Sequence, residues 1–206
     1  MRTVKKVKIG VIGGTGLESL FEGVETVNVG TPYGFSHGIQ IGELNGKRIA
    51  FLPRHGQKHE FPPHKVNYRA NIYALHKIGV ERIIATNAVG AINLDFKPGD
   101  LVVPHDLIDF TKHRQQTFYD HAPVKHIDFT EPYCPEIRGV LIEVARNFSN
   151  VHEKAIYVCT EGPRFETPAE IRMFRILGCD VVGMTGVPEA VLARELGICY
   201  ATLCFV

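Results

Sequence analysis

The sequence lacks an excess of charge and long apolar runs, and each absence excludes a class of protein. Its 206 residues carry 23 Lys and Arg against 22 Asp and Glu, so nothing in the net charge of +1 favours nucleic acid or an anionic membrane. The longest apolar runs have the length of a strand and are too short to span a bilayer. The segment 9–12 is short and interrupted by glycine, so it is not a signal-peptide core, and we expect a cytoplasmic protein.

The sequence also lacks a metal-binding pattern. No two of its five cysteines are separated by only two residues, which argues against a zinc cluster. We expect most of them to be small buried side chains, and disulfides mainly if the source organism is a hyperthermophile. His55 and His59 have the spacing of a zinc-protease motif, but its Glu is absent and Pro62 and Pro63 follow, so no metal site is predicted.

What is present is typical of one α/β domain covering residues 1–206. A hydrophobic content of 45% and a charged content of 22% are ordinary for a soluble enzyme. Strands alternate with helices, which predicts a single domain with a mixed, mostly parallel sheet flanked by helices. The predicted strands are 7–12, 39–44, 48–52 (paired through a hairpin turn at Asn45-Gly46), 82–86, 101–104 with its continuation 106–110, 154–159, 181–184 and 198–206. The predicted helices are 66–78, 136–148, 168–177 and 188–196.

Two regions stand apart from this alternation. Residues 111–135 show no sustained periodicity, and a loop of that length in a compact domain usually serves a function. The last predicted strand ends the sequence, with no helix to cover it and no loop after it. Because ligand sites in open α/β sheets lie at the carboxyl ends of strands, we expect a further segment beyond Val206.

Polar groups that suit an anion follow the predicted strands 7–12 and 48–52. Gly13-Gly14-Thr15-Gly16 fits neither the dinucleotide fingerprint nor a P-loop, so an anion site and a simple tight turn both remain open. Arg54 and His55 follow the hairpin; Arg suits bidentate phosphate binding and His adds a donor, although a solvated turn is the alternative.

Two later strand ends add to this pattern. Asn87 and Ala88 combine an amide with a small residue that lets backbone N–H groups approach an anion, and Thr185 ends a later strand in the same way. Each is also compatible with an ordinary polar strand end. A single anion bound by all of these groups would explain why four separate strand ends carry polar residues. The predicted anion site is therefore Thr15, Arg54, His55, Asn87, Ala88 and Thr185.

The segment Thr160–Thr167, Thr-Glu-Gly-Pro-Arg-Phe-Glu-Thr, is the most informative stretch of the chain. Phe165 offers an aromatic face on which a planar heterocycle can stack, and the adjacent Glu166 carboxylate can accept hydrogen bonds from its N–H edge. This pairing favours a base with donors, such as a 6-oxopurine. The alternative is an ordinary strand-to-helix connection with Glu166 in the first helical turn.

Taken in order, these segments resemble the trimeric purine nucleoside phosphorylase and methylthioadenosine phosphorylase family over nearly the whole chain. The motifs are Gly-Gly-Thr-Gly (13–16), Arg-His-Gly (54–56), Lys-Val-Asn-Tyr (65–68), Thr-Asn-Ala-Val-Gly-Ala (86–91), Glu-Pro-Tyr-Cys-Pro (131–135), Glu-Gly-Pro-Arg-Phe-Glu-Thr (161–167) and Gly-Met-Thr-Gly-Val-Pro-Glu (183–189). The sequence departs from the family at its end, because it stops before the loop that supplies an Asn or Asp near purine N7 and before the usual C-terminal helix.

The resemblance implies roles for particular residues. The six residues of the anion site would bind phosphate, which is a co-substrate, and no metal or organic cofactor would be needed. Phe165 and Glu166 would face the base, Met184 would pack against the ribose, and His126 would reach the 5′ end of the ribose in a neighbouring subunit. The partner implied is a second copy of the chain, as a homotrimer or a dimer of trimers. Arg54, His55 and Glu166 would be the catalytic residues.

The implied reaction is phosphorolysis of purine nucleosides, with inosine, guanosine or 5′-methylthioinosine preferred. Family members that act on 6-oxopurines resemble this Phe-Glu-Thr, whereas methylthioadenosine phosphorylases generally carry Phe-Ser. A 6-oxopurine offers N1–H to the Glu166 carboxylate, while adenine presents a lone pair that an anion repels. The Arg-His-Gly motif and the His126 loop resemble the methylthio branch, so a methylthioadenosine phosphorylase is the alternative. A non-catalytic module that binds nucleoside or phosphate is a second hypothesis.

Overall fold

The computed structural model of the protein describes residues 7–13 and 22–206. Strands and helices alternate along these residues. The strands are β1 (Ile9–Gly13), β2 (Glu22–Thr31), β3 (Gly34–Leu44), β4 (Lys47–Pro53), β5 (Arg82–Ala88), β6 (Gly90–Ala91), β7 (Leu101–Val102), β8 (Asp106–Phe110), β9 (Val151–His152), β10 (Ile156–Thr160), β11 (Val181–Gly183) and β12 (Cys199–Phe205). The helices are α1 (Tyr68–Lys77), α2 (Pro135–Ala145), α3 (Pro168–Ile176) and α4 (Gly186–Glu195), and Pro63–Lys65 form a 3-10 turn.

These strands form two sheets. The larger has the order β2-β3-β4-β1-β5-β12-β7-β9, and the smaller has the order β6-β11-β10-β8. Strands β4, β1, β5 and β12 are parallel in the centre of the larger sheet, and β8, β10 and β11 are parallel in the smaller one. Antiparallel pairs add β2, β3 and β7 to the larger sheet and β6 to the smaller one, and β9 pairs in parallel with β7. The predicted α/β class with a mixed, mostly parallel sheet is confirmed, and parallel strands bring their carboxyl ends to a common edge.

The largest buried cluster lies between the central strands and helices α1 and α4. Ile83 and Ala85 of β5, Ile72 and Leu75 of α1, and Leu192 of α4 are fully buried in it. Burying an aliphatic side chain of this size contributes about 1.5–3 kcal/mol. This packing holds the central strands, and therefore the residues that follow them, in fixed positions.

The hairpin and the long loop agree with the sequence. Asn45 and Gly46, which join β3 to β4, both have positive φ angles of 49° and 74°, as a tight hairpin turn requires. Residues 111–134 contain no helix or strand. No helix in the described part of the chain is long and apolar enough to cross a membrane.

Strand β2 was not predicted, and some predicted boundaries were wrong. β2 is an edge strand with mostly exposed residues, so it lacks the buried alternation that marks a strand in a sequence. Helix α2 ends at Ala145, three residues before the predicted position 148. Helix α4 begins at Gly186, two residues before the predicted position 188, because the kinked residue Val187 is counted within it.

The cysteines are largely buried, as expected, and two of them are paired. Cys159, Cys179 and Cys204 are free and buried. Cys134 and Cys199 form a disulfide that joins the start of α2 to the start of β12 across 65 residues of sequence. Their sulfur atoms lie near the Glu136 carboxylate, but a disulfide leaves neither thiol free to bind a metal.

Candidate active site

The predicted site residues converge on one cavity of about 550 Å³. It lies where β4, β5 and β11 end and where the loop after β10 returns toward the sheet. The predicted residues that line it are Arg54, His55, Asn87, Ala88, Phe165, Glu166, Met184 and Thr185. Four segments that are far apart in sequence therefore meet around one space.

Two predicted residues are not part of this lining. Thr15 lies outside the residues that the structure describes. His126 is exposed in the loop 111–134 and does not line the cavity of its own chain.

Arg54 is buried and paired with a carboxylate that the sequence analysis did not single out. Its Nε and Nη2 donate to the two carboxylate oxygens of Glu189 at 2.5 and 3.0 Å, and its Nη1 donates to the Thr86 carbonyl at 2.9 Å. Burial alone would lower the pKa of Arg54, but the charge of Glu189 and its hydrogen bond to Arg54 together outweigh that effect and raise the pKa above its ordinary value. Within the described residues this leaves two of the five guanidinium N–H groups for a ligand.

Glu189 holds Arg54, which lines the cavity, in place. It lies on the buried face of α4 and accepts a further hydrogen bond from Tyr200 Oη at 2.9 Å. Both members of the Arg54–Glu189 pair are almost fully buried, with 3% and 2% of their side chains exposed. The pair carries no net charge, so neutral donors must also contribute to the attraction for an anion at this place.

His55 is held by one ring nitrogen. Its Nδ1 lies 2.7 Å from the Phe61 carbonyl, and because a carbonyl only accepts, Nδ1 carries the hydrogen. Burial lowers the pKa of His55, and the neighbouring Arg54 lowers it further against the opposing effect of the Phe61 hydrogen bond. His55 is therefore neutral near pH 7, with a lone pair on Nε2. Its ring stacks on His59 with centroids 4.5 Å apart.

The ends of β5 and β11 are joined by a buried chain of hydrogen bonds. Thr185 Oγ1 donates to Asn87 Oδ1, Asn87 Nδ2 donates to Thr202 Oγ1 at 2.6 Å, and Thr202 Oγ1 lies 3.3 Å from the Ala85 carbonyl. The backbone N–H groups of Thr185 and the next residue both donate to Tyr157 Oη. Buried networks of this kind hold their members rigidly, so Asn87 and Thr185 keep one arrangement.

The opposite wall carries an aromatic ring and a carboxylate. Phe165 is 85% exposed, and beside it Glu166 Oε1 accepts a hydrogen bond from Thr160 Oγ1 at 2.6 Å. Met184 packs so closely on Gly162 that a Cβ there would lie 2.7 Å from the methionine sulfur, and Gly162 also has a positive φ of 66°. Only glycine satisfies both conditions, which explains the Gly-Pro turn of this loop.

The far end of the same loop is fixed by the start of α3. Thr167 Oγ1 accepts from the Glu170 N–H at 3.2 Å, and the Glu170 carboxylate accepts from the Thr167 N–H at 2.7 Å, a capping box. Arg164 donates twice to that carboxylate. The pKa of Glu170 is lowered to about 2, mainly by the hydrogen bond from Arg164. The segment with Phe165 and Glu166 is thus held at both ends.

Comparison with known proteins agrees with this geometry. The family model of the phosphorylase superfamily matches residues 8–206. The chain belongs to the phosphorylase superfamily. Among curated members, it is 57% identical to S-methyl-5′-thioadenosine phosphorylase of Pyrococcus furiosus, over 95% of this chain and 77% of that protein. It is 55% identical to 6-oxopurine nucleoside phosphorylase of the same organism, over 97% of this chain and 78% of that protein.

Further members of the phosphorylase superfamily extend this similarity. The chain is 57% identical to a probable S-methyl-5′-thioinosine phosphorylase of Methanothermobacter thermautotrophicus, over 96% of this chain and 70% of that protein. Among solved structures, a methylthioadenosine phosphorylase sourced from an antarctic soil metagenomic library superposes with a TM-score of 0.95 and 45% identity. That superposition covers 98% of this chain and 73% of the other.

Several residues of the site escaped sequence analysis. Glu189 is part of the motif 183–189, but no role was predicted for it. A carboxylate within an apolar helix indicates that it has a buried partner. Tyr157, Tyr200 and Thr202 lie on strands, where their hydroxyl groups give no distinct pattern in the sequence. Thr160 opened the informative segment, but its hydrogen bond to Glu166 depends on the path of the loop.

Proposed function

We propose that this protein catalyses the phosphorolysis of purine nucleosides, with 6-oxopurines preferred. The products are the free base and ribose 1-phosphate or 5-methylthioribose 1-phosphate. One observation carries the proposal: a single cavity unites the anion-binding strand ends with an aromatic ring and a carboxylate suited to a purine. Membership of the phosphorylase superfamily and relatives named as nucleoside phosphorylases support it.

The reaction is a displacement at the anomeric carbon of the sugar. The C1′–N9 bond breaks and its electron pair leaves with the purine, while a phosphate oxygen forms the new bond to C1′ from the opposite face. The purine takes up the proton that the phosphate hydroxyl gives up, so the base leaves neutral. As the old bond stretches, C1′ gains positive charge, which the bound phosphate anion stabilises before it attacks. Positioning and electrostatic stabilisation supply most of the rate. Inorganic phosphate is the co-substrate, and we propose no metal or organic cofactor.

The phosphate would lie against Arg54, His55, Asn87, Ala88 and Thr185. The N–H groups of Arg54 that Glu189 and Thr86 do not occupy are strong, charge-assisted donors. Neutral His55, with its lone pair on Nε2, can accept the hydrogen of a phosphate hydroxyl. We extend the same role to Thr15 from the sequence motif alone.

The purine would stack on Phe165 with its N1–H directed to Glu166. The hydrogen bond from Thr160 uses one carboxylate oxygen of Glu166 and leaves the other for the base. Met184 also lines the cavity, and the ribose would pack against it. An adenine would place a lone pair against the same carboxylate, which costs binding energy.

A direct assay tests this function. The protein is incubated with phosphate and, separately, inosine, guanosine, 5′-methylthioinosine or 5′-methylthioadenosine, and the release of base and sugar 1-phosphate is measured. We expect turnover of the three 6-oxopurine substrates that depends on phosphate. Cleavage of 5′-methylthioadenosine alone would overturn the base preference and leave phosphorolysis standing. Binding of hypoxanthine without turnover of any nucleoside would overturn the catalytic proposal.

Phosphorolysis of methylthioadenosine is the second candidate. It is favoured by the name and the 57% identity of the Pyrococcus furiosus S-methyl-5′-thioadenosine phosphorylase. The assay above separates it from the first candidate by the ratio of kcat/KM for 5′-methylthioadenosine and 5′-methylthioinosine, which differ only in the base.

We further propose a homotrimer, or a dimer of trimers, in which His126 completes the site of a neighbouring subunit. His126 is exposed on a loop that is anchored near its start, where Thr117 Oγ1 and the Phe118 N–H donate to the Glu195 carboxylate. Co-expression of His126→Ala with Arg54→Ala subunits tests the shared site. Mixed oligomers are expected to regain activity that neither variant has alone, and absence of recovery in confirmed mixed oligomers would contradict the arrangement.

A further inference from the structure

Arg114 is a buried cation that does not line the cavity but contacts the segments that build it. It lies in the loop 111–134, and only 1% of its side chain is exposed. Burying a guanidinium is costly unless its hydrogens are satisfied, so its partners indicate what it holds in place.

The partners of Arg114 come from three elements. Its Nη2 donates to the carbonyls of Thr160 and Glu161 at 3.1 and 2.9 Å, where β10 ends. Its Nη1 donates to the Val187 carbonyl at 2.5 Å, at the start of α4, and to Tyr68 Oη at 3.1 Å, on α1. One planar group thus spans the two segments that enter the cavity from β10 and β11.

Two of these contacts, those to Thr160 and Val187, connect Arg114 to proposed site residues. Thr160, whose carbonyl Arg114 binds, also donates its hydroxyl hydrogen to Glu166. Val187 lies two residues after Thr185. Arg114 therefore bridges the wall proposed for the base and the wall proposed for the phosphate.

The charge of Arg114 is balanced by a carboxylate on the loop after β10. The Glu161 carboxylate lies 3.7 Å from Arg114 Nε and accepts a hydrogen bond from the Lys112 N–H at 2.7 Å. Arg114 Nε itself donates no hydrogen bond within the described part of the chain. The carboxylate thus compensates the buried cation, while the hydrogen bonds from the Nη atoms of Arg114 go to β10, the segments that follow β10 and β11, and α1.

We propose that Arg114 is a positioning residue that fixes the distance between the base-binding loop and the Thr185 segment. The inference rests on the proposed function, because it concerns the geometry of that same site. A guanidinium is suited to this role, since its fixed fork serves several carbonyls at once whereas an ammonium cannot reproduce the pattern. A misplacement of about 1 Å between reacting groups costs roughly 100-fold in rate.

Arg114→Lys tests the proposal, and Arg138→Lys is its matched control. Arg138 also donates to backbone carbonyls, those of Val103, Pro104 and Glu153, but it lies apart from the cavity lining. Both variants are compared with the wild type well below their melting temperatures. We expect kcat/KM for inosine and for phosphate to fall about 100-fold in Arg114→Lys, and to stay unchanged in Arg138→Lys even where its melting temperature drops.

The outcomes separate positioning from simple stabilisation. Wild-type kinetics in folded Arg114→Lys, with only a lower melting temperature, would overturn the proposal. Equal kinetic losses in both variants would also overturn it, because the effect would then follow from general destabilisation.

A second variant keeps the proposal testable if Arg114→Lys does not fold. Glu161→Gln removes the balancing charge and retains Arg114, and hydrogen exchange is measured at residues 160–167 and 185–188. We expect faster exchange in both segments together, and unchanged exchange in either would overturn the bridge. This measurement needs no turnover, so it also distinguishes failure of the proposal from failure of the proposed function, which the wild-type assay reports.

Discussion

Glu166 is the residue on which we propose that the choice of base depends. Its carboxylate sits beside Phe165 and is oriented by Thr160. A carboxylate accepts an N–H from a 6-oxopurine and repels the lone pair of adenine, and a mismatch of this kind discriminates by about 1–3 kcal/mol. The proposal therefore assigns the base specificity of the site to one side chain.

Replacing Glu166 with Ser is expected to shift preference toward adenine. The ratio of kcat/KM for 5′-methylthioinosine over 5′-methylthioadenosine should fall by about 10- to 100-fold, in line with that mismatch energy. Glu166→Gln is the matched control, because its amide offers both a donor and an acceptor and should give an intermediate ratio. A ratio that is unchanged in Glu166→Ser would remove the residue from base selection.

Arg54 is expected to serve both phosphate binding and stability. Arg54→Ala should raise the KM for phosphate strongly and lower the free energy of unfolding by about 3–5 kcal/mol, because it leaves Glu189 buried and unpaired. Adding Glu189→Gln removes the unpaired charge and should recover stability but not phosphate affinity. Phosphate saturation curves and denaturant titrations measure the two effects. Recovery of both by the double variant would show that Arg54 acts on phosphate only through the fold.

His55 makes stability depend on pH. Burial, partly offset by the Phe61 hydrogen bond, lowers the pKa of His55 in the folded state below its unfolded value of about 6.5. The unfolded state therefore binds more protons as the pH falls through this value, so the contribution of neutral His55 to stability is present above it and decreases below it. His55→Gln should flatten the decline in the free energy of unfolding between about pH 6.5 and 5. An equally steep decline in the variant would contradict this assignment.

At the scale of elements, the carboxyl ends of parallel strands explain how much the sequence could predict. The motifs after β4 and β5 could be placed together because parallel strands end at one edge of a sheet. The motif after β11 belongs to the smaller sheet, and its place beside them depends on how the two sheets pack. Edge strand β2 could not be predicted, since its residues are mostly exposed. The Arg54–Glu189 pair could not be predicted either, because its partners lie 135 residues apart and meet only through packing of α4 on the sheet.

The disulfide between α2 and β12 is expected to stabilise the fold and to take no part in catalysis. Cys134 and Cys199 close a loop of 65 residues, which in the chain-entropy treatment corresponds to about 4 kcal/mol. The double variant Cys134→Ser with Cys199→Ser should melt at a lower temperature and keep its kcat/KM at temperatures where it is folded. The melting temperature of the wild type, and not that of the variant, should fall on addition of reductant. An equal response of both proteins would contradict a stabilising disulfide.

At the scale of the whole molecule, two sheets converge on one reaction centre. The larger sheet supplies Arg54, His55, Asn87 and Ala88, which end or follow its central parallel strands, and the smaller sheet supplies the segments that follow β10 and β11. The proposed base residues follow the smaller sheet, whereas the proposed phosphate residues come from both sheets, so the geometry of the cavity depends on how the two sheets pack. Arg114, which contacts the segments from the smaller sheet and helix α1, is placed to maintain that arrangement.

A crystal structure of the protein with phosphate and hypoxanthine bound tests the central claim most directly. The account predicts phosphate within hydrogen-bond distance of Arg54 and Thr185, and hypoxanthine stacked on Phe165 with its N1–H donated to Glu166. The space between the two ligands should accommodate a ribose beside Met184. Phosphate bound away from this cavity, with the Arg54 guanidinium making no contact to it, would contradict the account.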